Sequence, residues 1–284
     1  MDAFSLGKYS VGAPYFNAVF VPMMALLMPF MAVGPLSKWR EDSAFRWIHE
    51  LLIPAIIVVL VGLTFSFLWH EDFNFWISLA TVLSGWVILG VFKELWRRLF
   101  HGSNGSIRWY RVSASFWGMA MAHIGFAFAV FGAVFVTQQS EEHDLRMVVG
   151  DKHSLGAYQF EMVAVGEQAG PNYEASTVTL NVWKHGSFIT TLRPEKRRYL
   201  ASGQVMTEAA IDGSMSRDLY VALGERVGED AWAVRLQYKP MVRFIWLGSL
   251  LIGLGAIVTA LDRRYRTQAR PLTSETSGSS QVVG

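Results

Sequence analysis

His123 is the residue whose type and position point most directly to chemistry. It is the only ionisable side chain among the 29 residues from 112 to 140, a stretch long enough to cross a bilayer. An ionisable group inside such a run costs free energy, so it is rare and is a functional candidate by default. Its spacing leaves three roles open: a metal or haem ligand, a proton relay, or a hydrogen bond between helices.

The other six histidines show no spacing that is typical of a metal site. No two histidines have HxxxH or HExxH spacing, and the chain contains no cysteine. A self-contained metal site is therefore not expected, and any redox chemistry requires a bound cofactor. The remaining histidines are expected to be solvated rings in loops, at a span end and in a polar segment: His49, His101, His70, His143, His153 and His185.

The composition is that of a membrane protein. Of the 284 residues, 52% are hydrophobic and 17% are charged, and the mean hydropathy is +0.27. The net charge of +2 is small, and the basic residues cluster in short loops, so nothing indicates a nucleic-acid partner. The N-terminus lacks the apolar core and cleavage site of a signal peptide.

Five apolar stretches have the length of a transmembrane helix. They cover residues 16–34, 51–69, 73–92, 116–136 and 244–261. Pro22, Pro29 and Pro54 fall inside the first two, where we expect kinks and no breaks. Lysine and arginine concentrate in alternate loops, which the positive-inside rule places in the cytoplasm. The N-terminus and residues 140–242 then lie outside, and the C-terminus is cytoplasmic. In a Gram-negative bacterium the outside is the periplasm and the membrane is the inner membrane.

The segment between the last two spans has a different pattern. Apolar and polar residues alternate around Tyr158–Ala164, Thr177–Val182 and Trp232–Tyr238, which predicts half-buried strands of a small sandwich or barrel. Gly186 marks a hairpin connection between two of them. The fold class predicted is a polytopic α-helical membrane protein of about five spans, with a β-rich periplasmic domain inserted before the last span. The predicted units are helices 1–4 in residues 1–139, the β-rich domain in 140–242, the last span in 243–262 and a disordered cytoplasmic tail in 263–284.

Several blocks of sequence carry a family resemblance. They are GKYSVGAPYFN from Gly7, MAMAHIG around His123, EKRRY from Glu195, MTEAAIDGSMSRDLYVALGE from Met206, WAVRLQYKP from Trp232 and RFIWLGSLL from Arg243. Together they resemble the C-terminal part of the CcmF/CycK family, the haem lyase subunit of cytochrome c maturation system I. The resemblance extends over nearly the whole chain.

The resemblance implies a function and a cofactor. Members of the family work with a CcmH-type partner, take haem from holo-CcmE and attach it to the CXXCH thiols of apocytochrome c. They also bind a transmembrane haem b through two histidines, with quinol as the implied electron donor. His123, in the family's AHxG context, matches one of these axial ligands. No catalytic residue is assigned.

The sequence also departs from the family pattern. The tryptophan-rich WWD motif and the first transmembrane ligand are absent, so the second haem ligand is expected from an N-terminal CcmF half. The chain is accordingly interpreted as a fragment or a split-gene product that is inactive alone. The alternative is a non-catalytic membrane scaffold that recruits CcmH or apocytochrome through Arg197, Arg198 or Arg217. A proton-relay transporter is disfavoured, because no carboxylate lies inside a predicted span.

Overall fold

The computed structural model describes residues 13–34, 44–69, 73–100 and 112–262. Its helices are α1 (Ala13–Val33), α2 (Ala44–Trp69), α3 (Phe75–Phe100), α4 (Ala114–Gln139) and α5 (Val242–Ala260). Residues 1–12, which were predicted to be periplasmic, and residues 263–284, which were predicted to be a disordered tail, lie outside the described residues.

Four of the described helices, α2 to α5, are long and apolar enough to cross a membrane. The sequence predicted five spans, but four helices are long enough among the described residues. The exception is α1, whose apolar part, Ala18–Val33, is shorter. The helices continue through Pro22, Pro29 and Pro54. Proline is tolerated in this way when neighbouring helices satisfy the carbonyls that it leaves free.

Helix α3 extends beyond the charge-free stretch that predicted it. The prediction ended at Phe92, but the helix continues to Phe100 and includes Glu94. The Glu94 carboxylate is buried, and it forms ion pairs with Arg97 and Arg98, both at 2.7 Å. Arg97 and Arg98 follow Glu94 by three and four residues, so the three side chains lie on one helical face. Their ion pairs stabilise the charged end of an otherwise apolar helix.

Helices α4 and α5 pack with their backbones in direct contact. Gly118 and Gly125 are seven residues apart on α4, and Gly248 and Gly255 have the same spacing on α5, so each pair lies on one face. A Cβ atom added at Gly118 would lie 2.5 Å from the Gly255 carbonyl oxygen, and one at Gly125 would lie 2.6 Å from that of Gly248. Small residues permit this approach in membranes, where packing drives helix association.

Side chains fix the end of this helix pair at which α4 begins and α5 finishes. Ser113 caps α4 by accepting a hydrogen bond from the backbone N–H of Phe116. Asp262, just after α5, accepts a hydrogen bond from the Ser115 backbone N–H at 2.8 Å and is buried. This carboxylate satisfies a free N–H at the start of α4 and connects it to the end of α5.

Helices α1, α2 and α3 surround the other side of α4. The Ser84 hydroxyl on α3 donates a hydrogen bond to the Ala127 carbonyl at 3.0 Å, and Met28 of α1 packs with Ala127. Near the other end of α4, Phe135 packs against Phe65 of α2, with ring centroids 5.7 Å apart. Helix α4 is thus in contact with neighbours on several faces.

The segment between α4 and α5 forms ten strands in two antiparallel sheets. The strands are β1 (Glu141–Met147), β2 (Lys152–Leu155), β3 (Tyr158–Ala169), β4 (Tyr173–Lys184), β5 (Ser187–Leu192), β6 (Glu195–Tyr199), β7 (Val205–Glu208), β8 (Ala210–Gly213), β9 (Arg217–Arg226) and β10 (Trp232–Pro240). One sheet has the order β1-β10-β9-β8, and the other has the order β2-β3-β4-β6-β7 with β5 also paired to β4.

The two sheets enclose an apolar core. Phe160, Met162 and Leu180 from one sheet and Leu219 and Leu236 from the other are fully buried in this core. The predicted alternation is confirmed over residues 158–162, 178–182 and 232–236, where every second residue is buried. A register shift between Met162 and Ala164 ends the buried row in β3.

The predicted hairpin connects β4 to β5. Gly186 has φ +78°, as expected, and the preceding His185 also has a positive φ of 48°. Positive values at both central residues are those of a type I′ turn, whose twist matches that of the paired strands. His185 is therefore a turn residue.

Replacing a contact glycine of α5 by alanine should destabilise the helix pair. A Cβ at Gly248 would lie 2.6 Å from the Ala129 backbone nitrogen, so Gly248→Ala should lower the free energy of unfolding by about 2 kcal/mol or more. At Gly253 of the same helix a Cβ would meet open space, and Gly253→Ala should change stability by no more than about 1 kcal/mol. Thermal unfolding in detergent, followed by circular dichroism, compares the two; equal transition temperatures would contradict the glycine contact.

Candidate functional site

His123 lies in the middle of α4, at the edge of its contact with α3. Ala127, one turn further along, accepts the hydrogen bond from Ser84, and residues four apart share a helical face. The glycines that contact α5 lie on another face of α4. His123 is half-buried, so its ring is held beside packed helices without being enclosed by them.

A hydrogen bond to its own helix orients the imidazole. The Nδ1 atom of His123 lies 2.9 Å from the carbonyl oxygen of Met119. A carbonyl can only accept a hydrogen bond, so Nδ1 must carry the proton and donate. In the neutral ring this leaves the Nε2 lone pair free to bind a metal. Metal-bound histidines commonly have this arrangement, because the hydrogen bond fixes the tautomer and makes the ligand more basic.

The expected haem pair has one candidate ligand among the described residues, His123, and its role stays a prediction. Among them, no three His, Cys, Asp or Glu side chains are grouped to hold a metal ion. His49 was predicted in a loop, which is wrong, because helix α2 begins at Ala44 and includes it. Its side chain lies outside the described part of the structure, as do His70 and His101. A single imidazole with a free Nε2 has the chemistry required of one ligand in such a pair.

Two histidines outside the helices are brought together. The Nδ1 atom of His143 on β1 lies 2.8 Å from the Nε2 atom of His153 on β2, and the ring centroids are 5.1 Å apart. Both were predicted to be solvated rings; His143 is exposed and His153 is half-buried, but the contact between them was not predicted. No sequence signal indicated the pair, because the two strands belong to different sheets and their spacing matches no ligand motif.

The arginines expected on a docking surface have different environments. Arg198 is exposed and pairs with Glu174 at 2.5 Å. Arg197 is partly covered, donates to Glu195 at 2.9 Å and stacks over the Tyr173 ring. Arg198 is therefore more exposed than Arg197, and the charges of both arginines are paired within the sheet.

Arg217 does not belong to a docking surface. Its side chain is buried, donates to the Tyr158 hydroxyl at 3.1 Å and to the Asp212 backbone carbonyl at 2.7 Å, and also pairs with the Asp212 carboxylate. Burial lowers the pKa of the guanidinium, but the hydrogen bonds with Asp212 and Tyr158 outweigh this and raise it overall. Arg217 is therefore a charged interior residue that connects β9 to β3 and β8.

A groove lies on the outer face of the β1-β10-β9 sheet. It has a volume of about 860 Å³. Its charged lining includes Arg146, Arg235 and Lys239, and Tyr220 contributes an aromatic ring. Arg235 is bound by Asp144, with nitrogen to oxygen distances of 2.7 and 2.9 Å, and this hydrogen bond lowers the pKa of Asp144. The groove therefore offers a polar, partly basic surface.

Three kinds of comparison relate this chain to known proteins. Residues 138–240 match the family model described as the CcmF C-terminal beta-sandwich. The chain is 42% identical over 279 residues to the cytochrome c-type biogenesis protein CcmF of Pseudomonas aeruginosa, covering 98% of this chain and 42% of that protein. It is 39% identical over 267 residues to CcmF of Escherichia coli, covering 94% of this chain and 40% of that protein.

A solved structure has the same fold. The structure of the cytochrome c haem lyase CcmF matches 88% of this chain and 41% of its own chain, with a TM-score of 0.72 and 19% identity. The chain spans about two fifths of the length of the curated relatives that it matches.

Replacing Arg217 should destabilise the sandwich far more than replacing an exposed arginine. Arg217→Met leaves the Asp212 carboxylate and the Tyr158 hydroxyl without their cation, and we expect a loss of about 3 kcal/mol. Arg198→Met removes an exposed pair and should cost less than about 1 kcal/mol. Urea unfolding followed by tryptophan fluorescence measures both. Similar losses in the two variants would rule out an interior role for Arg217.

Proposed function

Because the chain belongs to the CcmF family of cytochrome c-type biogenesis proteins, we propose that it forms the C-terminal portion of a haem lyase in which His123 is one axial ligand of a transmembrane haem b. The family assignment confirms the resemblance found in the sequence blocks. The observation that carries the proposal is the hydrogen bond from His123 Nδ1 to the Met119 carbonyl, which leaves Nε2 available for iron.

The protein's contribution to this site is to hold and orient a neutral imidazole. Helix α4 supplies both the ring and the carbonyl that fixes it, and contacts with α3 and α5 keep α4 in place. The haem, when bound, supplies a one-electron couple whose potential depends on its axial ligands and surroundings. A second imidazole would come from a segment of the lyase outside this chain, an N-terminal CcmF half.

The chain connectivity supports placing the sandwich on one side of the membrane. Helix α4 ends at Gln139 and β1 begins at Glu141, while β10 ends at Pro240 and α5 begins at Val242. The two helices pack closely together, so both connections to the sandwich are at the same end of the pair. With the basic loops in the cytoplasm, that end faces the periplasm of a bacterial inner membrane.

This location fits the partners of a haem lyase. The thioether bonds form on CXXCH thiols of apocytochrome c, with transient haem delivered by holo-CcmE and a CcmH-type partner assembled on the lyase. Quinol is the proposed reductant that reaches the transmembrane haem. The sandwich begins where α4, which carries His123, leaves the membrane, so it can contact a substrate protein on that side of the membrane.

The groove on the β1-β10-β9 sheet favours a second candidate function. In this alternative the chain is a non-catalytic scaffold, and the groove recruits CcmH or apocytochrome. Arg146 is exposed within the groove, and Tyr220 also lines the groove. Arginine and tyrosine are residue types enriched at protein interfaces. The two functions are compatible, because the groove and His123 lie in different parts of the chain.

Removing the His123 ring should abolish the bis-histidine spectrum. When the chain is co-expressed with the N-terminal half of a CcmF protein, His123→Gly should lose the low-spin b-type absorption, and added imidazole should restore it by occupying the vacated position. Met121→Ala, two residues away on α4, should retain the spectrum. Visible spectra of the purified complex provide the measurement. A normal low-spin spectrum in His123→Gly without imidazole would refute axial ligation.

Replacing Arg146 by a neutral residue should weaken partner binding without changing the haem absorption spectrum. If the groove recruits a CcmH-type protein, Arg146→Gln should reduce its binding about fivefold or more, through loss of charge complementarity. Arg198→Gln on the other sheet serves as the matched control and should leave binding unchanged. Surface plasmon resonance with immobilised partner measures both variants. Equal affinities for Arg146→Gln and the unmodified chain would eliminate the groove as the recruitment surface.

A further inference from the structure

The contact between His143 and His153 joins the open edges of the two sheets. Strand β1 is the edge of one sheet and β2 is the edge of the other, and neither pairs with the other strand. The two strands are held separately, since His143 pairs in register with Leu236 of β10 and His153 with Phe160 of β3. The contact between the two rings therefore connects two separately paired sheets.

Both rings extend from the inward-facing rows of their strands. In β1, the row of alternate residues runs from exposed His143 through half-buried Leu145 to buried Met147. In β2, half-buried His153 precedes buried Leu155 in the same way. The two imidazoles thus meet where the apolar core ends, with solvent access on the outer side.

The nitrogen positions suit a chelate. The Nδ1 atom of His143 and the Nε2 atom of His153 are 2.8 Å apart. With metal–nitrogen bonds of about 2.0–2.1 Å, two imidazoles at adjacent coordination positions have nitrogens about 2.9 Å apart for a right angle and about 3.3 Å apart for a tetrahedral angle. Moving the rings by a few tenths of an ångström accommodates either geometry.

We propose that His143 and His153 form a two-histidine site for a divalent late transition-metal ion, with water completing the coordination. Imidazole is a preferred ligand of Cu²⁺, Ni²⁺ and Zn²⁺, and affinity along the series is highest for Cu²⁺. In the neutral pair one of the two facing nitrogens carries a proton. When the ion binds, that ring loses this proton to water and takes one up on its other nitrogen, so both rings stay neutral and both facing nitrogens offer lone pairs to the ion.

The surrounding charges favour a cation. Glu141 lies two residues from His143 on the same face of β1, and its carboxylate extends towards Gly156, just after β2. A Cβ at Gly156 would be 3.6 Å from a Glu141 carboxylate oxygen. The lysine next to His153, Lys152, is neutralised by Glu161 at 3.4 Å. The carboxylate can therefore attract an ion to the histidine pair.

A bound ion would connect the two sheets directly after α4. His143 is four residues beyond Gln139, where α4 ends, so the site lies at the membrane-proximal start of β1. Binding to the folded form alone raises its stability relative to the unfolded chain. The inference stands on the sandwich geometry and does not depend on the haem function proposed for His123.

Copper binding to the full chain tests the site. The detergent-solubilised chain, freed of any affinity tag and stripped with a chelator, is titrated with Cu²⁺ by isothermal calorimetry. We expect one ion per chain with a Kd in the micromolar range or tighter. His143→Ala and His153→Ala should each weaken binding about tenfold or more, since each removes a ligand. His185→Asn is the control, because asparagine tolerates the positive φ of that turn.

Spectroscopy identifies the ligands independently of affinity. The electron paramagnetic resonance spectrum of the Cu²⁺ complex should show coupling to two imidazole nitrogens in the unmodified chain and in His185→Asn, and to fewer in His143→Ala. Far-UV circular dichroism checks that the sheets are intact; a variant that fails this check is replaced by His143→Gln or His153→Gln. Absence of binding at about 100 μM Cu²⁺, or unchanged binding in both histidine variants, would overturn the proposal.

Discussion

The direct backbone contact between α4 and α5 is the constraint on which the rest of the structure depends. Gly118 and Gly125 meet Gly255 and Gly248 so closely that a single added methyl group would collide with a carbonyl oxygen. In lipid the hydrophobic effect contributes little to the association of two helices, so van der Waals packing of small residues must stabilise the pair. The contact fixes the helix that carries His123, and it also fixes both chain connections to the sandwich.

The connection from the sandwich to α5 is a single residue, Met241, with a defined backbone conformation. Met241, between β10 and α5, has φ 55°, a left-handed conformation that is uncommon for a residue with a side chain. Its backbone N–H donates to the Ser216 carbonyl, and its side chain packs with Ile77 and Phe135. Strand and helix packing together hold the residue in this conformation. The sandwich is thus attached to the helices by structured joints at both ends.

The sequence predicted the features that depend on local pattern and not those that depend on tertiary contacts. Apolar length located helices α2 to α5, and alternation located the buried rows of β3, β4 and β10. The burial of Arg217 was missed because its partners, Tyr158 and Asp212, lie on other strands. The proximity of His143 and His153 was missed for the same reason, since a contact between two sheets produces no periodic pattern in the sequence. The helical position of His49 was missed because charged and polar residues begin α2 ahead of its apolar run.

In the proposed haem site, the hydrogen bond within α4 explains how half a site can exist before the other half arrives. The Met119 carbonyl and His123 belong to one helix, so the ring orientation requires no residue from a partner. A preorganised ligand does not have to lose conformational freedom when iron binds, and this favours binding. The ring is only half-buried, so the described helices do not enclose it. An imidazole held in this way is suited to act as one of two ligands in the proposed site, with the second histidine supplied by another segment of the lyase.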